Sequence, residues 1–297
     1  MYRIAVSTDT YILNRKQQQQ NPYINTNQKI DSVLVKEQHN KLMALLNNKL
    51  YFSIKSEEAI PDMVFMSNAG LSLPRLPEQI VILPFMKYAS RRQEHKFKED
   101  IFKELNIKTV AFPGSTKAPF EGAAEAKWFL NGELLIVGYG YRMTQESVSI
   151  LKSLLKKIYE SYDVTPPLVL ALNLQSKFLF HLNLAMMEIS ETECIIHKSA
   201  FDLLDQKQLT KYLEKIHVIE SEDPFCLNSI IEGELLITHE LNDPLLKKYL
   251  EKITNKTVVE IDTSEFEISG GSVRSLIFDL IDPRTIKRRQ RAPSSPK

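Results

Sequence analysis

The feature that most constrains the fold of this chain is a repeated alternation of short apolar hairpins and amphipathic helices. The dipeptides Asn131-Gly132 and Glu232-Gly233 each separate two strand-like runs, and such dipeptides favour tight turns. An amphipathic helix is expected after each hairpin, the first with Thr144 as its N-cap and the second over NDPLLKKYLEKIT. Roughly five such units, spaced by about 50 to 60 residues, predict an α/β ring or propeller of ββαβ modules rather than a doubly wound sheet.

Further elements complete the predicted units. Asp31 is placed as the N-cap of a helix over DSVLVKEQHNKLMALLNN, and two more helices are expected over RRQEHKFKEDIFKEL and DQKQLTKYLEKI. The segments DMVFMSNAGLSL, FLFHLNLAMMEIS and VRSLIFDLI contain apolar runs and are predicted to contain strands. The Asn- and Gln-rich segment from Arg15 to Gln28 is predicted to be a long exposed loop.

The C-terminal residues 284–297 differ in composition from the rest of the chain. They contain six basic residues and no acidic residue, together with proline and serine. We therefore expect a single domain over residues 1–283, followed by a basic disordered tail over residues 284–297. A solvated tail is the preferred interpretation, and contact with nucleic acid or an anionic surface is the alternative.

Charge and cysteine content narrow the functional classes. The net charge is +1, so no overall field favours binding to nucleic acid or to a membrane. The sequence shows no secretory signal and no apolar run of roughly 20 residues, and we expect a cytoplasmic protein. Cys194 and Cys226 lie in apolar contexts without metal-ligand spacing, which predicts reduced, buried thiols.

Polar residues interrupt several apolar segments where secondary structure does not require them. Alone, each has a structural explanation: His181 as a satisfied core histidine, Asn68 as a helix C-cap and Asp62 as an Asx-turn residue. Their order along the chain is more informative than any single member. The clusters are Asp62 with Ser67 and Asn68, Glu121 with Glu125, His181 with Asn183, and Ser275, joined by Arg91 and Arg142.

Seven short segments in this order resemble the guanidino-group-modifying enzymes, the superfamily of dimethylarginine dimethylaminohydrolases, arginine deiminases and amidinotransferases. The segments are PDMVFMSN, RRQE, FEGAAE, GYGYRMT, FHLN, FCLN and GGSVRS, within a match from about Ile4 to Asp282. The resemblance implies the pentein fold, an α/β-propeller of about five ββαβ units in a pseudo-five-fold arrangement. This expectation agrees with the units inferred above from hydrophobic periodicity.

The resemblance also implies a reaction and the residues that perform it. Enzymes of this superfamily attack a guanidinium carbon with a cysteine thiolate, and they need no metal or other cofactor. His181 matches the general acid and base, and Glu121 matches the carboxylate that orients it. The residues expected to bind the ligand are Asp62, Asn68, Arg91, Arg142 and Asn183. The two arginines are expected to hold a ligand carboxylate, because a guanidinium forks well onto a carboxylate.

Two chemically important positions depart from the superfamily pattern. Ser275 stands at the nucleophile position, preceded by the turn-forming Gly270 and Gly271, and Asn183 stands where the pattern has a carboxylate. A third change, Glu125 for aspartate, is conservative. A thiol has a pKa near 8.5 and can be held as a thiolate by a nearby cation, whereas a serine hydroxyl stays neutral there. Both departures therefore argue for lost or altered catalysis.

Three functions are open at this point. The preferred one is a non-catalytic protein that keeps a pocket for a small arginine-like ligand. The second is a working hydrolase or amidinotransferase that uses Ser275, His181 and Glu121 as a serine triad. The third is a module that binds protein or nucleic acid through the propeller and the basic tail. A homodimer is left open.

Overall fold

The computed structural model describes residues 1–54 and 60–281, and this part of the chain forms five three-stranded sheets. The strands are β1 (Tyr2–Val6), β2 (Lys49–Phe52), β3 (Leu71–Ser72), β4 (Ile80–Leu83), β5 (Lys108–Ala111), β6 (Ala126–Phe129), β7 (Leu134–Tyr139), β8 (Leu168–Asn173), β9 (Met186–Glu188), β10 (Glu193–His197), β11 (Lys215–Ile219), β12 (Ile230–Glu232), β13 (Leu235–His239), β14 (Thr257–Ile261) and β15 (Phe278–Leu280). The helices are α1 (Ser32–Leu45), α2 (Glu94–Glu104), α3 (Gln145–Glu160), α4 (Leu182–Ala185), α5 (Leu203–Leu209), α6 (Pro244–Thr254) and α7 (Ser264–Glu267).

All five sheets have the same topology. The middle strand, which is β1, β4, β7, β10 or β13, pairs antiparallel with one neighbour and parallel with the other. The parallel neighbour is reached through a helix, as parallel pairing requires. In the first sheet the antiparallel neighbour is β15, so both ends of the described chain meet there, with Tyr2 opposite Leu280. The predicted ββαβ unit is therefore confirmed in each sheet.

Local sequence signals account for several helix ends. Asp31 accepts hydrogen bonds from the backbone at the start of α1, as predicted. Thr144 and Ser147 form a reciprocal capping box at the start of α3. In α6, Asp243 is the N-cap, Pro244 occupies the first turn, and Asn255 ends the helix in the left-handed region.

The core lies between the sheets and their helices. The middle strands are the most buried, and Ile80–Leu83 of β4 is buried at every position. Such continuous apolar runs are typical of strands covered on both faces. Cys194 and Cys226 are buried free thiols, as the sequence predicts.

Several sequence predictions are wrong in detail. The strand predicted at the start of DMVFMSNAGLSL, before a polar turn, is absent: Asp62–Val64 are turn and Met66–Asn68 form a 3₁₀ turn. Val273–Leu276 is a 3₁₀ turn rather than strand, and Asn183 lies in the short helix α4 with His181 just before it. The apolar residues in and beside these segments are buried, and a short buried run cannot be distinguished from a strand by periodicity. The helix predicted over DQKQLTKYLEKI ends at Leu209, and its last residues enter β11.

The loop from Arg15 to Gln28 is also less exposed than predicted. Gln17, Asn21 and Ile24 are buried, and residues Arg15–Gln17 form a 3₁₀ turn. The predicted tail, residues 284–297, lies outside the described residues. Within the described part, every helix is too short or too polar to cross a membrane.

Candidate active site

The predicted site residues meet where short irregular segments from different units approach each other. These segments are the turns Met66–Asn68, Gly122–Ala124 and Val273–Leu276, together with α4. Six of the predicted residues line one small cavity: Asp62, Asn68, Arg91, Arg142, His181 and Ser275. Glu121 contacts His181 and Asn183 contacts Ser275, so the structure brings together all of the predicted site residues.

His181 and Glu121 form a buried pair. His181 Nε2 is 2.9 Å from Glu121 Oε2, while Glu121 Oε1 accepts a 3.1 Å hydrogen bond from the backbone N–H of Lys87. Burial opposes ionisation of Glu121, but the charge of Arg142 and the hydrogen bond with His181 outweigh burial and hold the pKa of Glu121 well below its usual range. An ionised carboxylate only accepts, so Nε2 of His181 carries the proton and Nδ1 is the free acceptor.

The histidine itself is kept neutral at pH 7. Burial lowers the pKa of His181 to about 4, and the charges of Arg142 and Arg91 act in the same direction. Glu121 opposes this shift without overcoming it. A neutral imidazole with so low a pKa is a weak base.

Glu125 lies beside the same imidazole, 3.6 Å from Nε2 to Oε1. Burial, and then the charge of Glu121, raise the pKa of Glu125 well above its usual value, so this carboxyl is held protonated. Glu121, Glu125 and His181 could together offer three ligand atoms to a metal ion, all within 4.8 Å of one another. Arg142 lies 3.5 Å from Glu121, and this buried positive charge disfavours a second cation.

Arg142 lies between two aromatic rings. Its guanidinium carbon is 4.5 Å from the ring centre of Tyr88 and 4.4 Å from that of Phe180. Such stacking stabilises a planar cation and fixes its orientation. The sequence analysis did not predict that Tyr88 and Phe180 contact Arg142, because no sequence motif identifies the aromatic partner of a cation.

Arg91 belongs to a buried network behind the cavity. It forks onto Glu94 with N–O distances of 2.6 and 3.0 Å, and its Nη2 also donates to the backbone carbonyl of Asp62. Asn68 accepts from the same Nη2 at 3.3 Å and donates to the backbone carbonyl of Glu121 at 3.0 Å. Arg91 and Asn68 thus tie the segments of Asp62 and Glu121 together.

Ser275 is held by an asparagine that was not assigned a role from the sequence. Its backbone N–H and its hydroxyl donate to Oδ1 of Asn228 at 3.1 and 3.2 Å. Asn183 Nδ2 lies 3.5 Å from the Ser275 hydroxyl and 3.4 Å from the Ser67 hydroxyl. The backbone carbonyl of Asn183 accepts a hydrogen bond from Nδ2 of Asn228. Asn228 ends the segment FCLN, which was part of the resemblance, so the signal was present but unused.

The glycines before Ser275 have steric reasons. Gly270 has a φ of 83°, in the left-handed region that favours glycine. At Gly271, a Cβ atom would lie 2.4 Å from the ring of Phe65, so a side chain does not fit there. The backbone therefore passes close to the cavity wall, and Gly270 forms a turn as the sequence predicts.

The Asn- and Gln-rich loop covers the cavity. Asp62 Oδ2 accepts hydrogen bonds from Asn14 Nδ2 at 2.7 Å and from Gln17 Nε2 at 2.6 Å. Asn21 Nδ2 donates to the carbonyl of Ser269 at 2.9 Å. Burial raises the pKa of Asp62, whereas Arg91 and the bond from Asn14 oppose the shift. The remaining free volume is about 20 Å³, roughly the space of one water molecule.

Sequence comparison decides the family. The model of the family described as N,N dimethylarginine dimethylhydrolase, eukaryotic, matches residues 4–282. The chain belongs to this family. The resemblance stated from the motifs is therefore confirmed, and with it a place among arginine-modifying hydrolases and their relatives.

Two proteins with similar sequences can be compared with this chain. A Caenorhabditis elegans protein, ZK1307.1, is 27% identical over 256 residues, which cover 85% of each chain. The bifunctional arginine dihydrolase/ornithine cyclodeaminase ArgZ of Synechocystis is 26% identical over 234 residues. That match covers 77% of this chain but only 31% of ArgZ, so this chain corresponds to less than a third of that relative.

Solved structures support the mixed α/β fold. The N-terminal domain of cyanobacterial ArgZ, as a cysteine-to-serine mutant bound to substrate, superposes with a TM-score of 0.77 at 24% identity, covering 93% of this chain and 97% of that one. A dimethylarginine dimethylaminohydrolase in an adduct with 4-chloro-2-hydroxymethylpyridine gives a TM-score of 0.67 at 18% identity, covering 93% and 98%. At these identities the likeness concerns the fold alone.

Proposed function

We propose that this protein binds a guanidino compound of the arginine class in the cavity of Asp62, Glu121, His181 and Arg142, and that Ser275 leaves it catalytically impaired. One observation carries the proposal. The hydroxyl of Ser275 donates to Asn228, while His181 bonds to Glu121, and within the described residues no hydrogen bond joins Ser275 to His181. The binding groups are thus assembled without an activated nucleophile.

Asp62 supports the guanidino part of the proposal. In the closed structure it accepts two N–H donors, from the amides of Asn14 and Gln17. A guanidinium presents the same kind of planar N–H pair, with a positive charge in addition. The ligand therefore takes the place of the loop amides, and the loop must open, because 20 Å³ is far below the roughly 300 Å³ of a small-ligand pocket.

The electrostatics explain why such a site binds without reacting. A serine hydroxyl needs a hydrogen-bonded base to become nucleophilic. The available histidine has its pKa lowered to about 4, and its free nitrogen is not bonded to Ser275. Asn183 adds an amide where a charge would grip the ligand. The mutant ArgZ domain, in which a serine replaces a cysteine, was crystallised with its substrate bound, which fits a serine form that retains ligand.

Arg91 and Arg142 are assigned different roles. Arg91 spends its donors on Glu94, Asp62 and Asn68, so we assign it to holding the site together. Arg142 is then the better candidate to hold a ligand carboxylate. We further propose that the five sheets are the blades of a pentein propeller within a single domain over residues 1–283. The cytoplasmic location and a homodimer stay predictions.

The experiment is a binding and turnover panel with L-arginine, methylated arginines and agmatine. We expect saturable heats in isothermal titration for at least one compound, and no citrulline or ornithine from the same mixtures. Asp62→Asn should weaken this binding by about tenfold to a hundredfold. Turnover by the wild type that Ser275→Ala abolishes, with a covalent adduct on Ser275 by mass spectrometry, would instead establish the serine-triad hydrolase. Absence of both binding and turnover would refute both functions.

A further inference from the structure

A second cavity, of about 600 Å³, shares no lining residue with the first. It is lined by the strand of each sheet that pairs antiparallel with the middle strand, through Leu71 of β3, Lys127 of β6, Glu188 of β9, Ile230 of β12 and Asp279 of β15. All five sheets therefore contribute to one cavity that is large enough for a small ligand.

Charges of both signs line this cavity. Among the lining side chains three are positive and three are negative: Arg3, Lys127, Arg274, Glu188, Glu191 and Asp279. The two arginines have several acceptors already. Arg274 Nη2 is 3.0 Å from Asp279 Oδ2 and its Nη1 donates to the carbonyl of Ile277, while Arg3 contacts Asp279 and Glu232. These groups are satisfied by the protein itself.

Lys127 and Glu188 are different. Lys127 Nζ is 2.5 Å from Glu188 Oε2 and has no other acceptor within the part of the chain that the structure describes. Burial lowers the pKa of Lys127, whose side chain is 1% exposed, whereas that of Glu188 is 37% exposed. An ammonium has three N–H donors, and leaving them without partners in a buried place is unfavourable. The pair thus presents unused N–H donors of Lys127 and the partly exposed side chain of Glu188 at the wall of the cavity.

The rest of the wall is mainly apolar, including Leu71, Trp128 and Ile189. The equal number of positive and negative groups disfavours a ligand with only one sign of charge. We propose that this cavity binds a zwitterionic amino acid with an apolar side chain, whose carboxylate contacts Lys127 and whose ammonium contacts Glu188. This site is independent of the guanidino site.

The chain supplies its own reporter. Trp128 is the one tryptophan in the sequence, it lines the cavity, and its Nε1 donates to the carbonyl of Ser72 at 3.0 Å. L-Phenylalanine, titrated with excitation selective for tryptophan, is expected to change this fluorescence saturably. 3-Phenylpropionate and 2-phenylethylamine, which each lack one charge, are expected to bind about tenfold or more weakly, as for loss of a charged hydrogen bond.

Variants complete the test. Glu188→Gln should weaken phenylalanine binding by about tenfold to a hundredfold. Glu220→Gln, which alters the exposed pair with Lys198, is the matched control and should have no effect. Because Glu188 is partly buried, a second variant uses the exposed Ser190 at the wall, where Ser190→Phe should block entry without disturbing the core.

The outcomes separate this site from the guanidino site. Asp62→Asn should leave the Trp128 response to phenylalanine intact even though it weakens guanidino binding. The proposal is overturned if phenylalanine changes neither the fluorescence nor the melting temperature of the wild type. It is also overturned if the singly charged analogues bind as tightly as phenylalanine, or if both Glu188→Gln and Ser190→Phe bind like the wild type.

Discussion

The two sides of the guanidino site differ in charge. On the charged side, Glu121 lies 2.9 Å from the neutral imidazole of His181 and 3.5 Å from Arg142, and Asp62 lies 3.6 Å from Arg91. On the neutral side, Ser275, Asn183, Ser67 and Asn228 are joined by hydroxyl and amide hydrogen bonds. The difference teaches that the groups suited to hold a cationic ligand are present, whereas the position from which a nucleophile would attack carries an uncharged hydroxyl.

The largest expected effect comes from restoring a thiol on the neutral side. Ser275→Cys should raise turnover of arginine or a methylated arginine from undetectable to measurable, a gain of about a thousandfold or more, because a thiolate can form beside a cationic ligand. Citrulline release measures it. Ser67→Cys is the matched control, since Ser67 also contacts Asn183, and it should stay inactive. If both cysteine variants were inert, the neutral side would lack more than its nucleophile.

The next effect concerns the charged side. Asp62→Asn keeps the shape but removes the charge that pairs with a guanidinium, and it should weaken ligand binding by about tenfold to a hundredfold. Isothermal titration measures the change. Asp31→Asn, at an exposed helix cap, serves as the control. Unchanged affinity in Asp62→Asn would place the ligand elsewhere.

The sequence predicted the charged side better than the neutral side. His181, Glu121 and Asp62 were identified because charged residues in apolar segments stand out and because their order matched a family. Asn228 was inside a quoted segment, but an amide in apolar surroundings suggests no chemistry by itself. Gln17 lies in the low-complexity loop that was predicted to be exposed, and Asn14 lies just before that loop. Their role depends on where the loop folds back, which local sequence does not encode.

A pair of histidines extends the comparison of the two sides. His239 backs the neutral side, with Nε2 2.7 Å from Asp223 and Nδ1 3.1 Å from Glu267, which also accepts from Ser272. Burial lowers the pKa of His239, but its bonds to Asp223 and Glu267 outweigh burial and raise it to about 9. His181 shows the opposite shift, to about 4.

The two pKa shifts predict opposite effects of pH on the stability of the fold: His239 contributes at low pH and His181 at high pH. The contribution of His239 is fully present below its ordinary pKa of 6.5 and is lost as the pH rises through about 9. The difference in unfolding free energy between wild type and His239→Gln should therefore shrink by up to about 3 kcal/mol from pH 6 to pH 10. Urea denaturation at both pH values measures it, with the half-exposed His95→Gln as control. A difference independent of pH would contradict the charged state of His239.

The contribution of His181 to the free energy of unfolding should instead fall as the pH drops from 6.5 towards 4.

The smallest effect concerns the loop that covers the charged side. Gln17→Ala removes one of the two amides that compete with the ligand for Asp62, so ligand affinity should rise by about fivefold. Gln19→Ala alters an exposed residue of the same loop and should leave the affinity unchanged. Weaker binding in Gln17→Ala would show that the loop amide contacts the ligand rather than competing with it.

The most direct test of the central claim is a carbon-13 NMR spectrum of wild-type protein mixed with arginine labelled at the guanidino carbon. One spectrum reports both binding and turnover, because bound ligand alters the guanidino resonance and a reaction replaces it. We predict a broadened or shifted guanidino resonance, restored by unlabelled arginine, with no new carbon signal over hours. Appearance of a ureido signal or loss of the label would contradict impaired catalysis, and an unaltered resonance, repeated with labelled dimethylarginine, would contradict the binding site itself.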